Sequence, residues 1–584
     1  MKQLGVRSIL ATIMAFTAAT ALAQPSFRKK PSVVPGEVVV KYKAGIATAS
    51  AAASLQTFGV TVIKTSELVP FMVGKFSASN KLESVLAAVR AMPDVEYAEP
   101  NYKVYALPQA GAPPVFPADG DFTAQWSLHQ TSDNDIDAPE AWAITIGSDS
   151  IIVGVIDTGI DYDHEDLKSN IWMNPGESGD KANNGQDDDG NGYTDDVRGW
   201  NFAGNNNNPF DDNDHGTHVA GIIGAAGNNG KGVVGVNWKV KLMALKFLGS
   251  DGSGSTADAA AAIIYAVDHG AKVLNNSWGG GDASQTLQDA IAYADSHGVL
   301  FVAAAGNDSN DNDSSPTYPS NYTLPNVISV AASDLNDQLA SYSNYGWRTV
   351  DLVAPGSSIY NARPLSRYQR LSGTSMATPH VAGAYALVWA KYPQLTSNEV
   401  RIRIAGSVDR KPAFLRRVTS SGRLNLVQAF STNPIIANTT DRQDSPNTIG
   451  PYLISAEVVD DDSVTRVLLV YKVNNGRADS LQMKPAGRDK YSAPIPGKPL
   501  RTAVGYHVLA WDNQNHVTSS PLFGFKVGEV QQPEKEACCG KRALSLQGLN
   551  PAAKLALELP LNCVFFLLPI MLLKRKGRNS KTTK

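Results

Sequence analysis

Between residues 125 and 432, short apolar runs alternate with stretches of helical periodicity. The runs are Ile151–Ile156, Val240–Leu245, Lys272–Asn275, Leu300–Ala304 and Val327–Ala331, and the helices include Ala257–Val267 and Gln285–Ser296. Such runs are typical of strands buried on both faces, and crossover helices between them indicate an α/β fold with a parallel sheet. Open α/β sheets carry their chemistry beyond the C-terminal ends of the strands, so functional residues are expected there.

Three polar residues occupy positions of this kind. Asp157 closes the first apolar run, His215 precedes an apolar helical run, and Ser375 lies immediately ahead of a helix predicted over Val381–Ala390. Each alone has an ordinary structural alternative, as a turn cap, a structural histidine and a helix N-cap. Together, in the chain order Asp, His, Ser, they match one known order of a serine-nucleophile triad.

The segments around these residues resemble the signatures of the subtilisin family. They read Asp157-Thr-Gly-Ile-Asp, His215-Gly-Thr-His-Val-Ala-Gly and Gly373-Thr-Ser-Met-Ala-Thr-Pro-His. The resemblance implies a subtilisin-like serine endopeptidase domain over 122–432, in which His215 activates Ser375 and Asp157 orients the imidazole. The family pattern also selects His215 over His218, a choice that the residues alone leave open.

The same resemblance implies contacts for the oxyanion and the substrate. Asn307 would donate to the oxyanion, although an Asn closing a tight turn after Gly306 is an equal alternative. An extended peptide is expected between two walls, Ser277, Trp278, Gly279 and Gly280 on one side and Ala304, Ala305 and Gly306 on the other, above Thr317. A β-branched Thr317 in the pocket floor predicts cleavage after small or medium apolar side chains.

Two oxygen-rich segments predict structural calcium. Ligands at alternate positions before Gly192 match the first half of an EF-hand loop, but the twelfth position is Arg198 rather than Glu. The expected ligands are Asp187, Asp189 and Asn191, completed by Asp195 or Asp196. A solvated acidic turn is the alternative. The family resemblance implies a second calcium site formed by Gln125, Asp166 and Asn229.

The N-terminal segments predict secretion and processing. Residues 1–23 have the basic start, apolar run and Ala-x-Ala site of a signal peptide. A small α+β unit with its core at 35–106 follows and resembles the inhibitory prodomain of the same family, over 24–106; an ordinary subdomain is the alternative. The linker 107–121 is rich in Pro, Ala and Gly and is expected to be cut. These features predict a self-processing zymogen inhibited by its own prodomain.

Beyond residue 432 the helical patterns end. Strand patterns predict an immunoglobulin-like β-sandwich over 433–530, followed by a linker over 531–554. Residues 555–573 are apolar enough to span a membrane, and 574–584 form a basic cytoplasmic tail. A peripheral amphipathic helix is the alternative. The tail also resembles bacterial sorting signals, so both retention as an anchor and removal with surface attachment stay open.

Composition excludes some classes of partner and of catalytic chemistry. A net charge of −3 with 18% charged residues argues against nucleic acid as a partner. The three cysteines, Cys538, Cys539 and Cys563, lie near the C-terminus, so no thiol nucleophile serves the rest of the chain. We expect a monomeric enzyme that acts on proteins or peptides outside the cell. An adhesion protein with a remnant triad and a peptide ligase are the rival hypotheses.

Overall fold

The computed structural model describes residues 33–43, 46–66, 71–77, 80–102, 113–474 and 476–528. The chain divides into two compact units between Gly111 and Ala112. The segments predicted over 1–23, 531–554, 555–573 and 574–584 lie outside the described residues. Within the described ranges, none of the helices is long and apolar enough to cross a membrane.

The first unit pairs an antiparallel sheet with two helices. Its elements are β1 (Val33–Tyr42), α1 (Thr48–Gln56), β2 (Val60–Ser66), β3 (Phe71–Phe76), α2 (Leu82–Arg90) and β4 (Val95–Tyr102). The strand order is β2-β3-β1-β4. Helix α2 buries Val85, Leu86 and Val89, which share one face at helical spacing, in a core with Val38 and Val40. This unit is the small α+β region that the sequence predicted.

The second unit contains a large sheet, most of it parallel. Its strands and the hairpin β12–β13 are β5 (Gly147–Asp157), β6 (Gly199–Asn201), β7 (Lys239–Lys246), β8 (Val273–Asn276), β9 (Leu300–Ala304), β10 (Val327–Ser333), β11 (Leu352–Pro355), β12 (Ile359–Arg363), β13 (Arg367–Leu371), β14 (Val408–Arg410) and β15 (Gly422–Leu424). The order is β14-β15-β11-β10-β9-β8-β5-β7-β6. Only the edge pair β14–β15 departs from the predicted parallel arrangement, because a short loop without a crossover helix joins its strands.

Helices cover both faces of this sheet. They are α3 (Ala138–Trp142), α4 (His215–Gly224), α5 (Thr256–Asp268), α6 (Gln285–Ser296), α7 (Thr374–Lys391) and α8 (Ser397–Gly406), with single 3₁₀ turns at Phe122–Ala124, Gly179–Lys181, Pro412–Phe414 and Gln428–Phe430. In β5, Val153 and Val155 pack in the core that contains α4 and α7, whereas Ile156 packs in the core of α5 and α6. Burial on both faces explains why these strands read as continuous apolar runs.

Helix α7 begins at Thr374, earlier than the start predicted at Val381. Pro379 lies inside it and has no N–H to donate to the carbonyl of Ser375 four residues earlier. The Ser277 hydroxyl donates to that carbonyl instead, at 2.8 Å. A side chain from a neighbouring strand thus satisfies the group that proline leaves open, and Ser375 lies in the first helical turn.

The C-terminal sandwich (residues 433–528) consists of two antiparallel sheets. Its strands are β16 (Ile435–Ala437), β17 (Tyr452–Val459), β18 (Val464–Val473), β19 (Ala478–Gln482), β20 (Lys484–Pro485), β21 (Lys490–Ile495), β22 (Thr502–Asp512), β23 (Val517–Ser519) and β24 (Phe523–Val527). The sheets are β16-β17-β21-β20 and β19-β18-β22-β23, with β24 also on β22. Buried residues alternate along β22 and pack against Ile454 of the other sheet. The domain boundary at 432 stays a prediction, because one compact unit includes both sides.

Candidate active site

Asp157 and His215 meet at the carboxyl edge of the large sheet. Asp157 is the last residue of β5 and is fully buried. Its Oδ1 accepts from the Thr158 N–H at 2.8 Å and lies 2.7 Å from Nδ1 of His215, the first residue of α4. The His215 side chain is 27% exposed. With Nδ1 against a carboxylate, the other ring nitrogen is left to act as a base.

The pKa of His215 reflects two opposed effects. Burial lowers it, but the charge of Asp157 and its hydrogen bond raise it, with a further contribution from Asp211. The net pKa lies above the ordinary imidazole value. The protonated form of His215 is therefore stabilised next to Asp157, as a proton-accepting base requires.

A buried hydrogen-bond network fixes the two segments that carry Asp157 and His215. Thr158 Oγ1 donates to Asp211 Oδ1 at 2.8 Å and accepts from the Gly216 N–H at 2.9 Å. A Cβ on Gly216 would lie only 2.1 Å from the Gly159 carbonyl oxygen, so this approach requires glycine. The strand end and the helix start are thus locked directly together.

Lys246 anchors the same network from the neighbouring strand β7. Its side chain is only 5% exposed. The ammonium donates to the carbonyl oxygens of Thr158 (2.8 Å) and Leu248 (2.9 Å) and to Asp212 Oδ1 (2.6 Å). Sequence reasoning missed this residue, although a cation at the end of an apolar strand was a visible signal.

Ser375 and Asn307 lie together at the start of α7. The Ser375 hydroxyl donates to the Ser277 carbonyl oxygen at 3.0 Å, and no hydrogen bond joins it to His215 within the described ranges. Asn307 Oδ1 accepts from the Thr374 N–H (2.8 Å) and hydroxyl (3.0 Å), which leaves Nδ2 as its donor. The Ser375 N–H, in the first helical turn, has no intrahelical acceptor. Both donors lie 3.6 Å from where a Cβ of Gly373 would sit, and neither has a hydrogen-bond acceptor among the described residues.

The predicted substrate walls lie at adjacent strand ends. Ser277–Gly280 follows β8, and Ala304–Gly306 spans the end of the parallel neighbour β9. The backbone of Ala305 is already occupied, because its N–H donates to Val330 and its carbonyl accepts from Asn344 and Asn312. Ala305 is also fully buried. The Gly306 backbone is occupied too, because its N–H donates to Thr374 Oγ1 at 3.3 Å and its carbonyl accepts from the Asn344 N–H at 2.9 Å.

Thr317 lies between these walls. Its methyl carbon is 3.4 Å from where a Cβ of Gly306 would sit, and its hydroxyl donates to Asn312 and accepts from Asn344, both at 3.2 Å. The Gly280 N–H donates to the Tyr318 carbonyl at 3.0 Å, which ties the Thr317 segment to the first wall. The structure thus brings the predicted pocket residue to the space between the walls.

The two histidines in the family-like segments other than His215 are structural. His218 Nε2 lies 3.0 Å from the Ile359 carbonyl oxygen, and burial lowers its pKa to about 3. His380 Nδ1 lies 2.8 Å from the Met376 carbonyl oxygen, and burial lowers its pKa to about 4. Neither faces a carboxylate, so His215 differs from both in its partner.

An acidic cluster forms in the loop before β6. Carboxylate oxygens of Glu177, Asp189 and Asp196 lie within 4.8 Å of one another. Glu177 is fully buried, its Oε2 has no partner among the described residues, and burial raises its pKa, with the nearby acids adding to the rise. Hard oxygen donors with a buried unpaired atom fit a calcium ion. Glu177 was missed because it lies ten residues before the recognised loop.

The other predicted ligands of this loop have different roles. Asp187 accepts the N–H groups of Gly190 and Gly192 at 2.8 Å each and so shapes the turn. Asn191 donates to Asp196 at 2.9 Å. Asp195 accepts from Gly185, while its other oxygen is buried without a described partner.

The second predicted metal set is also brought together. Asp166 is fully buried and accepts from Asn229 Nδ2 at 2.9 Å and from the Val233 N–H at 3.0 Å. Gln125 pairs through its amide with the backbone of Val234. Buried Asp119, which the sequence did not single out, accepts from the N–H groups of the same loop.

Comparison with known proteins gives two family matches. The model of the subtilase family matches residues 148–425, and that of the Fervidolysin N-terminal prodomain matches residues 23–101.

Three relatives illustrate the similarity. The thermophilic serine proteinase of Bacillus sp. (strain AK1) is 37% identical over 369 residues, 62% of this chain and 79% of the relative. Thermitase of Thermoactinomyces vulgaris is 39% identical over 304 residues, 52% of this chain and 96% of the relative. The cell wall-associated protease of Bacillus subtilis (strain 168) is 36% identical over 345 residues, covering 58% of this chain and 34% of the relative.

Proposed function

This chain belongs to the subtilase family and is a subtilisin-type serine endopeptidase with an N-terminal prodomain, and on that premise we propose that Asp157, His215 and Ser375 are its catalytic triad. The observation that carries the assignment is the 2.7 Å contact between His215 and Asp157, at the same sheet edge as Ser375. The segments that carry Asp157 and His215 are held by one buried hydrogen-bond network, which preorganises the base.

In this proposal His215 removes the Ser375 proton as Oγ attacks the peptide carbonyl. His215 then returns the proton to the leaving amine, and an acyl-enzyme remains. Water, deprotonated by the same base, hydrolyses it. The Ser375 hydroxyl donates to Ser277 before substrate binds. A rotation about its Cα–Cβ bond would exchange that acceptor for His215 and start the reaction.

The negative charge that develops on the carbonyl oxygen needs donors. We assign them to Asn307 Nδ2 and the Ser375 backbone N–H. Thr374 holds Asn307 through its Oδ1, so the amide does not have to reorganise during the reaction. Removal of one such donor costs about 10²–10³ in kcat.

Covalent labelling tests the assignment directly. A fluorophosphonate probe should label the mature wild-type protein at Ser375, and the Ser375→Ala variant should stay unlabelled. The Ser372→Ala variant is a matched control, because it removes an exposed hydroxyl three residues before Ser375 and should still be labelled. Labelling that persists without Ser375 would overturn the triad.

The prodomain is assigned the role of inhibitor, and the triad that of processing protease. Ser375→Ala protein should therefore keep its N-terminus, whereas wild-type protein should lose it at the linker 107–121. Identical processing of both would assign the cut to another protease.

We propose secretion from the signal-like residues 1–23, in line with a relative named a cell wall-associated protease. Mass analysis of the mature C-terminus would tell retention of the tail from removal.

The substrates are proposed to be proteins cut after small or medium apolar residues. Thr317 occupies space between the walls that glycine would leave open. The Thr317→Gly variant should accept phenylalanine at the cut position better than the wild type. Equal wild-type cleavage after Phe and Ala would contradict this specificity.

Calcium is proposed at the acidic cluster of Glu177, Asp189 and Asp196, where it would neutralise three carboxylates and stabilise the loop. A second ion is proposed near Asp166 and Asn229, where Gln125 pairs with the backbone of Val234 next to the Asn229 loop. Both ions have structural roles in this proposal and take no part in the chemistry.

A further inference from the structure

A groove of about 840 Å³ runs along the junction between the C-terminal sandwich and the loops that flank β14. Trp347, Arg348 and the loop 410–421 form one side, and sandwich residues at 438–441 and 521–524 form the other. Two large apolar side chains in it face solvent, Leu415 at 66% and Leu522 at 77% exposure. Apolar surface left open at a domain junction marks a binding site.

Cations dominate the groove. Its charged residues are Arg348, Arg410, Lys411, Arg416 and Asp441. Arg416 lies 3.5 Å from Asp441, and Lys411 pairs with Asp337 at 2.8 Å. Within the described ranges the guanidinium groups of Arg348 and Arg410 have no carboxylate partner, although the Arg348 backbone N–H donates to Asp313. The Arg348 guanidinium lies over the Trp347 ring at 4.6 Å. Unpaired guanidiniums beside exposed leucines are complementary to a segment that carries both carboxylates and apolar side chains.

The groove is connected to the pocket of the cleft. Asn344 donates to Thr317 in the pocket floor, and Tyr345 pairs with Asp311 of the loop that leads to it. Arg348 follows Asn344 by four residues, a chain distance of at most about 15 Å. An extended substrate would need about five residues to cover that distance and more to follow the surface, because Asn344 is fully buried.

We propose that this groove is a docking site for protein substrates, which binds a stretch rich in Asp, Glu and Leu a few residues from the cut bond. The inference rests on the proposed peptidase function. It gives the sandwich a task, because the groove exists only where the sandwich meets the enzyme. Docking of this kind selects among proteins that share the same residue at the cut position.

Fluorogenic peptides test the groove. One short peptide ends near the cut bond, and longer versions add ten residues of Asp, Glu and Leu, or of Ser and Gly, on either side. With wild-type enzyme, the acidic extension should raise kcat/KM about tenfold on at least one side, through KM, and salt should weaken the gain. The Arg348→Ala/Arg410→Ala double variant should lose the gain and cleave the short peptide normally.

Control measurements separate failure of the docking site from failure of the proposed peptidase function. The Arg477→Ala variant removes an exposed sandwich arginine outside the groove and should keep the full gain. No cleavage of the short peptide would refute the peptidase function itself. A gain that is absent, or that survives in the double variant, would refute the docking site alone. If the wild-type protein dimerises, shows no gain from the acidic extension, and loses dimerisation in the double variant, the groove would be assigned to binding a second copy of this chain.

Discussion

At the residue scale, the charge of Asp157 sets both the geometry and the pKa of His215. Replacement of Asp157 by Asn should lower kcat by about 10⁴, because the imidazole loses its orienting carboxylate. In the proposed mechanism neutral His215 is the base, so wild-type kcat/KM should rise with pH through a midpoint above about 6.5. Without the charge, burial lowers the pKa, and the midpoint should move to lower pH.

The pH dependence of kcat/KM with a short peptide checks this prediction. The Asp163→Asn variant removes an exposed carboxylate two residues beyond Asp161, the last residue of the motif that begins at Asp157, and should leave both kcat and the midpoint nearly unchanged. A midpoint that stays constant in Asp157→Asn would show that another group governs the acid limb.

Lys246 offers a second test at this scale. Replacement by Met keeps the length of the side chain but leaves two carbonyl oxygens and Asp212 without their donor. A lost partner of buried polar groups costs about 1–3 kcal/mol each, so the midpoint of thermal unfolding should fall by several degrees.

Kinetics separate a positioning role from a general loss of stability. Thr158 follows Asp157 directly, so well below the unfolding temperature Lys246→Met should lower kcat and leave KM nearly constant. The Lys239→Met variant changes an exposed lysine on the same strand and should alter neither kcat nor KM. Wild-type kcat in folded Lys246→Met would contradict the positioning role.

Among the secondary-structure elements, the strands were more predictable than the helix that carries Ser375. Strand β9 occupies the predicted residues, because every one of its side chains is buried and apolar. The start of α7 was not predictable, since Pro379 and the polar first turn are unfavourable in an isolated helix. It forms because Ser277 and Asn307, from other strand ends, satisfy its first turn.

The residues of the candidate site also differ in how far the sequence alone predicts them. Asp157 could be predicted from its position at the end of an apolar run, whereas the choice of His215 over His218 depended on the resemblance of its segment to the family. Glu177 and Asp119 could not be predicted, since Glu177 lies outside the recognised loop and Asp119 binds a loop distant in the chain. Lys246 gave a signal, a cation at the end of an apolar strand, but its role depends on partners in other segments. Local periodicity carries no information on such tertiary contacts.

The loop with the acidic cluster supports a prediction about calcium. Chelation by EGTA should lower the thermal midpoint of the wild type by several degrees, because an ion at a hundred times its Kd contributes about 2.7 kcal/mol. Replacement of Glu177 by Gln should remove most of this calcium response. In EGTA the same variant should be as stable as the wild type or more so, since it relieves repulsion between the buried Glu177 carboxylate and the acids around it.

Calorimetry with and without calcium measures both effects. The Asp180→Asn variant changes an exposed acid on the neighbouring 3₁₀ turn and should respond to calcium as the wild type does. A full calcium response in Glu177→Gln would place the ion elsewhere.

At the scale of the whole molecule, the sandwich is joined to the peptidase part through a core of its own. The buried residues of this core are Ile402, Ala405, Ile435, Ala437 and Val459. Beside it, Arg401 donates to both carboxylate oxygens of Glu457 at 3.0 Å each. A buried apolar contact with a charge-assisted ion pair beside it couples the stability of the two parts.

This coupling predicts that residues 113–528 of the mature enzyme unfold in one cooperative transition. Ile435 is only 5% exposed, so Ile435→Ala should cost about 2–4 kcal/mol and lower the midpoint of that whole transition. Loss of activity on heating should then shift with the calorimetric midpoint, although Ile435 lies outside the catalytic cleft. The Ile449→Ala variant changes an isoleucine that is 87% exposed and should leave both curves in place. Two transitions, with only one moved by Ile435→Ala, would mean that the sandwich and the peptidase part fold independently.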